Sequence, residues 1–274
     1  MPRPRFVHVV VDAAASVPAA LAERTGLIVA PADPVRLVTY ESVSSLSLDA
    51  LSVDASTAVE ACRAAAATAD VLYVSVDDGH GGAPDAPELA RAAVEAQGRQ
   101  FAHLATNATL MQAGWAAVIA AQAAVRGTDL AAALASGQQT VGKTGMFGVI
   151  DHPELANPTS TNNLSAPVRG VARWDGPRLV ALPRPQRDAA LGMLRDLFTA
   201  NVTREAAEDR GALRVAVIHA AAAPAAEALA IWAERRLQAS EVSVDAVTRH
   251  AASHLGPGFV AVSWVWDRAP FQPE

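Results

Sequence analysis

Short apolar runs alternate with helical stretches through the first half of the chain. The segment from Phe6 to Val11 is β-branched and nearly continuous, as is typical of a strand buried on both faces. Ser16 is predicted to cap the helix that follows, and Gly26 to end it. Further strands and helices are predicted in alternation: strands at 27–30, 71–76 and 101–105, and helices at 19–24, 57–69, 87–97, 110–125 and 130–135. This alternation predicts a parallel sheet between two helical layers.

The pattern changes near residues 144–150, where the alternation lapses and prolines become frequent. We therefore expect two domains, an N-terminal α/β/α domain over residues 1–147 and a C-terminal domain over 148–274. The second domain is predicted to be a two-layer mixed sheet with helices on one side. Its predicted elements are strands at 168–174, 179–182, 213–218 and 242–247, and helices at 187–200 and 223–237.

The most distinctive stretch lies near the C-terminus, where His254 precedes a Gly-Pro-Gly turn. Gly256 and Gly258 tolerate positive φ angles and close approach by another group, and the proline between them fixes its own φ. A half-buried strand is predicted next, with alternate residues on its two faces: Val260, Val262 and Trp264 on one, Ala261 and Ser263 on the other. The alternative to a functional site is a buried turn with a hydrogen-bonded histidine.

Composition and charge narrow the possible functions. The 274 residues are 51% hydrophobic, with a formal net charge of −6, which argues against nucleic acid or an anionic membrane surface as the main partner. The single cysteine, Cys62, excludes an internal disulfide and a thiolate metal cage. The N-terminal apolar run is too short for a signal peptide core or a membrane span. We expect a soluble cytoplasmic protein without stable membrane insertion.

Polar residues follow two of the predicted parallel strands at the edge where α/β sheets bind ligands. Asp12 ends the first strand, and Asp77, Asp78 and His80 follow the strand at 71–76. Together they could form an oxygen and nitrogen metal site or bind a different small molecule. The alternative is that they cap a helix and bond the loop, since no spacing here is diagnostic of a metal.

Two other patterns carry less weight. Residues 137–144 fit the phosphate-loop pattern G-x-x-x-x-G-K-[ST], but a helix precedes them and a strand follows, which inverts the required order. Ser52, Asp12 and His254 have the composition of a catalytic triad, but the chain has no G-x-S-x-G nucleophile elbow. A binding protein is therefore favoured over an enzyme.

Three segments together resemble the DegV family of bacterial lipid-binding proteins, which includes the fatty-acid-carrying subunits of fatty acid kinases. They are the first strand with its sequel at 9–18, the strand at 213–219 that ends in His219, and the full His-x-Gly-Pro-Gly signature at 254–258. The similarity extends in spacing from about residue 6 to 265. It implies a DegV-like two-domain fold, a fatty acid or similar acyl ligand in a cleft between the domains, no cofactor, and a kinase partner.

The resemblance also implies which residues contact the ligand. Two family loops that help to hold the fatty acid carboxylate fall near 51–54, where Ser52 matches, and on 77–83, where Gly82 matches. Two ionised aspartates in the second loop would repel a carboxylate. The candidate ligand-binding set is Ser52, His254, Gly256, Gly258, Asp12, Gly82, Asp77, Asp78 and His80. The alternative function is a metal-dependent enzyme or binder of another small molecule at Asp77-Asp78-Gly79-His80.

Two arginines are candidates for the partner-facing surface. Arg184 and Arg187 lie where the family has basic residues on the lower domain, which would suit partner docking or contact with a phosphate. The alternative is the solvated start of a helix.

Overall fold

The computed structural model describes residues 6–31, 36, 39–44, 55–76, 84–151, 170–182, 189–208 and 211–267. Its strands are β1 Val7–Asp12, β2 Ile28–Ala30, β3 Asp70–Ser75, β4 Phe101–Ala105, β5 Gly145–Ile150, β6 Gly170–Asp175, β7 Arg178–Ala181, β8 Ala212–His219, β9 Glu241–Ala246 and β10 Val260–Asp267. Its helices are α1 Ala19–Thr25, α2 Tyr40–Ser44, α3 Ala55–Ala66, α4 Ala86–Glu95, α5 Leu110–Val125, α6 Leu130–Thr140, α7 Ala190–Ala206, α8 Ala223–Leu237 and α9 Arg249–Leu255.

The chain divides into two compact units, each built from two segments. The first comprises Met1–Val35 and Ser52–Gly142, and the second Arg36–Leu51 and Lys143–Glu274. This division differs from the sequence-based boundary in two places. Arg36 and α2 belong to the second unit, where α2 packs on α9. Strand β5 begins at Gly145, before the expected boundary, because it pairs with β10 and β6 of the second sheet.

The first unit is a three-layer α/β/α arrangement, as the sequence predicts. Its sheet is entirely parallel, in the order β2-β1-β3-β4. Helices α3 and α4 pack together on one face, where Val10, Val71 and Tyr73 join their core. Helices α5 and α6 pack on the other face, and the Trp115 side chain of α5 is fully buried. Burial on both sides explains the continuous apolar runs of these strands.

The second unit is a six-stranded mixed sheet in the order β7-β6-β5-β10-β8-β9. Only β8 and β9 pair in parallel among these strands. Helices α7 and α8 cover one face, where Phe198 and Leu194 pack with Val260, Val262 and Trp264. The predicted two-layer mixed sheet is therefore confirmed.

The opposite face of this sheet is also buried, contrary to the half-buried strand expected for β10. It carries small side chains along neighbouring strands, including Ala172, Ala216, Ala261 and Ser263, each at most 2% exposed. Gly148 lies among them, in register with Ala172 and Ala261. The alternation predicted for β10 was right, but the polarity of Ser263 did not mark a solvent face because its hydroxyl donates to the Gly145 carbonyl at 3.0 Å.

Several local predictions were wrong. Ser16 does not cap α1, because it is buried with a left-handed φ of 49° after a 3₁₀ turn, and Pro18 holds the N-cap position. Helix α3 begins at Ala55, two residues before its predicted start, and ends at Ala66, three residues before its predicted end. Helices α9 and α2 have no counterpart among the predicted elements. Gly26 ends α1 as predicted, with a φ of 63°.

No helix among the described residues has both the length and the apolar character needed to cross a bilayer.

Candidate functional site

The topology of the first sheet marks one ligand-binding edge. In the order β2-β1-β3-β4, the connections from β1 and from β3 lead to opposite sides of the sheet, so the switch point lies between these two strands. In open α/β sheets, the crevice at the carboxyl ends of the strands on either side of such a point is the usual place for a ligand. Asp12 ends β1 at this edge, and Ser75 ends β3.

The Asp12 carboxylate is engaged within the protein. Its Oδ1 accepts a hydrogen bond from the Tyr73 hydroxyl at 2.7 Å, and its Oδ2 accepts one from the backbone N–H of Val76 at 3.2 Å. Burial, together with the charge and hydrogen bond of Asp12, raises the pKa of Tyr73 above its usual value, so the phenol stays protonated. Asp12 therefore fastens the end of β3 to β1, which is a structural role.

A second polar group lies beside Asp12 at the same edge. The Ser75 hydroxyl and His103 Nε2 are 2.8 Å apart, and the His103 ring stacks on Tyr73 with a centroid distance of 5.7 Å. Burial lowers the pKa of His103, with Glu88 opposing and Arg91 reinforcing the shift. The Thr106 hydroxyl donates to the Ser75 carbonyl at 2.9 Å. The backbone and the side chain of Ser75 are thus both held, by Thr106 and His103, and neither partner was predicted from the sequence.

These observations bear on the metal hypothesis. Within the described ranges, no cluster of three or more His, Cys, Asp or Glu side chains is arranged to hold a metal ion. Asp77, Asp78 and His80 lie outside those ranges. Both carboxylate oxygens of Asp12 accept hydrogen bonds from protein donors. No described feature favours the metal-dependent alternative.

The second candidate region is the glycine turn and the helix before it. Thr248 is the N-cap of α9, and His254 lies in its last turn. The His254 ring meets His250, one turn earlier, edge to face at a centroid distance of 4.8 Å. Gly256 and Gly258 have φ angles of 73° and 80°, which confirms the predicted tight turn.

Both glycine amides of the turn are committed to the protein. The Gly256 N–H donates to the Ala252 carbonyl at 2.9 Å, and the Gly258 N–H donates to the Ala220 carbonyl at 2.8 Å. A ligand at this turn could therefore approach the backbone closely, but it would not receive hydrogen bonds from the two glycine amides. His254, two residues before Gly256, is the nearest side chain of the signature that can donate or accept a hydrogen bond.

Asp151 borders the turn, and the sequence analysis missed it. A Cβ atom at Gly258 would lie 2.8 Å from Asp151 Cβ and 3.1 Å from its Oδ2. Asp151 follows β5 directly, in the same way that Asp12 ends β1, so the rule that selected Asp12 could also have selected Asp151. Its carboxylate gives the turn an acidic neighbour.

His219 lies at the end of β8, whose last residue pairs with Val260 just after the turn. Its Nδ1 accepts a hydrogen bond from the Ala222 N–H at 3.3 Å, so Nε2 carries the proton of the neutral ring. Burial lowers the pKa of His219, against the opposing charges of Asp245 and Glu227. The ring is therefore neutral at pH 7.

The predicted site residues fall in three places. His254, Gly256 and Gly258 lie together in the second unit, and Asp12 lies in the first. The others fall outside the described residues: Ser52, Asp77, Asp78, His80, Gly82, Arg184 and Arg187. The phosphate-loop pattern proves to be a helix-to-strand connection, since residues 137–140 belong to α6 and β5 follows at Gly145.

Comparison with known proteins gives a fold match without a sequence match. No protein-family model matches the chain, and no curated protein matches it. DegV of Bacillus subtilis, a fatty acid binding protein, superposes with a TM-score of 0.73 at 15% identity, over 96% of this chain and 100% of its own. A DegV family protein of Thermus thermophilus, described by its fatty acid binding, gives a TM-score of 0.71 at 17% identity, over 95% and 99%. A DegV family protein of Corynebacterium glutamicum gives 0.67 at 20% identity, over 97% and 99%.

These similarities establish the fold across both units. The chain has the two-domain architecture of the DegV structures. One domain has a parallel sheet between helical layers, and the other has a mixed sheet with a helical layer.

Proposed function

We propose that this protein is a divergent DegV-type protein that binds a fatty acid or a related acyl carboxylate without a cofactor. One observation carries the proposal: the complete His-x-Gly-Pro-Gly signature forms a helix end and glycine turn within a fold shared with two proteins described as fatty acid binding. Because a fold hosts many functions, the local arrangement at 254–258 is the stronger support.

In this proposal His254 binds the head group. An imidazole N–H donates a hydrogen bond to a carboxylate oxygen, and hydrogen bonds to charged groups contribute about 1.5–3 kcal/mol. Gly256 and Gly258 carry no Cβ, so the head group can approach the backbone closely.

The acyl chain supplies most of the binding free energy. Burying one methylene contributes about 0.8 kcal/mol, so a chain of about 14 methylenes contributes roughly 11 kcal/mol before the costs of ordering. This exceeds the contribution of any one head-group contact. The departure of residues 77–83 from the family loop, in which Gly82 matches, is therefore compatible with acyl binding.

The direct test is to purify the protein under native conditions, extract it with solvent and identify acyl compounds by mass spectrometry. Delipidated protein is then titrated with cis-parinaric acid, a fluorescent fatty acid. We expect His254→Ala to weaken binding about tenfold, the equivalent of about 1.4 kcal/mol. His8→Gln serves as the control, because His8 lies on β1 and bonds Thr68 of the first unit. Absence of any acyl compound and no uptake of the probe would refute the proposal.

We also propose, from the same resemblance, a cytoplasmic kinase partner that phosphorylates the bound carboxylate. The carboxylate oxygen would attack the γ-phosphorus of ATP and release ADP, with Arg184 and Arg187 facing the partner. Loaded protein is incubated with ATP and the ATP-binding subunit of a bacterial fatty acid kinase, and acyl phosphate is trapped with hydroxylamine. Arg184→Ala and Arg187→Ala should slow this step but leave probe affinity intact. No acyl phosphate with any such subunit would count against the partner.

A further inference from the structure

A short part of the chain joins the second unit from within the sequence of the first. We use the name strap for its described residues, Arg36 and the segment from Thr39 to Ser44, which includes α2. Helix α2 packs on α9, the helix that carries His254. The strap is thus in contact with the helix that carries His254, the residue proposed to bind the head group.

Arg36 fastens the strap to the residues where β9 passes into α9. Its Nη1 donates to the Ala246 carbonyl at 2.7 Å and lies 3.2 Å from the Asp245 carboxylate. Its backbone forms an antiparallel bridge with Thr248, the N-cap of α9. Backbone and guanidinium therefore contact three of the four residues from 245 to 248.

These contacts are largely shielded from water. The Arg36 side chain is 17% exposed and that of Asp245 is 22% exposed. A guanidinium has several N–H donors in a rigid plane, so it can donate to a carbonyl and a carboxylate at the same time. A lysine ammonium can also donate to both, but its flexible side chain fixes their geometry less strictly. Asp245 also acts on the neighbouring His219, whose pKa its charge raises against the effect of burial.

The position of α9 depends on such tertiary contacts. With seven residues it is too short to be stable by itself and only about 10 Å long. A tilt of about 10° at its first residue would move its last turn by roughly 2 Å. Binding groups must be held within about 0.5 Å of the productive geometry. A small loss of restraint at the N-cap would thus displace the His254 ring by more than binding tolerates.

We propose that Arg36 is a positioning residue that sets the placement of His254 by holding the start of α9. The inference rests on the proposed function, because His254 is assigned there as the head-group contact. Arg36 itself touches the protein at residues 245–248 and acts on the ligand only through α9.

The experiment compares Arg36→Ala and Arg36→Lys with the parent protein and with Arg178→Ala. Arg178 is an exposed arginine on the edge strand β7, so its removal changes the charge of the same unit equally. Hydrogen exchange of residues 249–255 is followed by mass spectrometry, with residues 223–237 of α8 as the internal reference. Affinity for cis-parinaric acid is measured on the same samples.

For Arg36→Ala we expect faster exchange in α9 but not in α8, and about tenfold weaker probe binding, equivalent to one lost hydrogen bond to the carboxylate. Arg36→Lys should recover part of the protection of α9 from exchange and part of the probe affinity, since its ammonium can still donate to the Ala246 carbonyl. Arg178→Ala should match the parent.

Unchanged exchange in α9 of Arg36→Ala would overturn the inference, as would equal acceleration in α8 with no recovery in Arg36→Lys. If the parent protein takes up no probe, the proposed function fails. The local exchange of α9 then still decides whether Arg36 holds this helix.

Discussion

Gly258 is a constrained position in the C-terminal turn. Its φ of 80° disfavours any side chain, and an added Cβ would lie 2.8 Å from Asp151 Cβ. We expect Gly258→Ala to lower the free energy of unfolding by about 2–4 kcal/mol, from backbone strain plus overlap. Gly98→Ala is the matched control, because Gly98 has a φ of 71° and nothing within 4 Å of its added Cβ. Equal losses in denaturant titrations of the two variants would mean that Asp151 does not restrict the turn.

A second residue-scale prediction concerns pH. The folded pKa of His219 is lowered by burial, so the unfolded chain binds a proton in a range where the folded protein does not. The contribution of His219 to stability is therefore complete above the unfolded pKa of about 6.5 and declines as the pH falls below it. His8 and His103 are shifted in the same direction and add to the decline.

We expect His219→Asn to reduce this decline, because the amide oxygen can still accept from the Ala222 N–H and does not titrate. The free energy of unfolding is measured in urea from pH 8 to pH 5.5. An equally steep pH profile in parent and variant would exclude His219 as a source.

At the scale of single residues, the sequence revealed positions but not partners. Asp12 and the glycines at 256 and 258 were identifiable because strand ends and Gly-Pro-Gly turns have local signatures. The bond from Tyr73 to Asp12 depends on the register of β3 against β1, and local sequence does not encode that register. Asp151 also follows a strand directly, but its contact with the turn could not be predicted, because Gly258 is more than a hundred residues away.

Among the elements, α7 is tied to the sheet by one carboxylate. Glu205 Oε2 accepts hydrogen bonds from the indole N–H groups of Trp264 and Trp266, both at 2.9 Å. We expect Glu205→Ala to lower the free energy of unfolding by about 2–3 kcal/mol, because two indole donors lose a charged acceptor. Glu205→Gln should lower the free energy of unfolding by less, since its amide oxygen can still accept from the indole N–H groups. Near-ultraviolet circular dichroism reports the two indoles, and an unchanged spectrum in Glu205→Ala would contradict this role.

The long helix α8 was predictable from the sequence, and the short helices α2 and α9 were not. Helix α8 was predicted with the bounds it has, because fifteen residues carry enough helical pattern to be recognised. Helices α2 and α9 have five and seven residues, and their existence depends on packing against each other rather than on local propensity.

For the whole molecule, the division into two compact units predicts unfolding in two steps. Cys62 is fully buried in the core of the first unit, where burial raises its pKa to about 12, so thiol reagents reach it only when that unit opens. Four of the five tryptophans lie in the second unit: Trp174, Trp232, Trp264 and Trp266. We expect Cys62 labelling and tryptophan fluorescence to give different midpoints in urea, and superimposable curves would indicate one cooperative transition.

The interleaving of the two units was beyond sequence reasoning. The stretch from 41 to 55 is rich in serine and has no pattern that assigns it to either sheet. Arg36, which precedes it, is joined to the second unit by an ion pair and a bridge whose partners are about two hundred residues further along the chain.

That separation has a consequence for synthesis on the ribosome. Arg36 and its hydrogen-bond acceptor Ala246 are 210 residues apart. At a translation rate of about 5–20 residues per second, the arginine emerges roughly 10–40 s before the carbonyl it will hold. The nascent polypeptide can complete its parallel sheet during that interval, whereas α9 acquires its anchor only after the last strand of that sheet has long been synthesised.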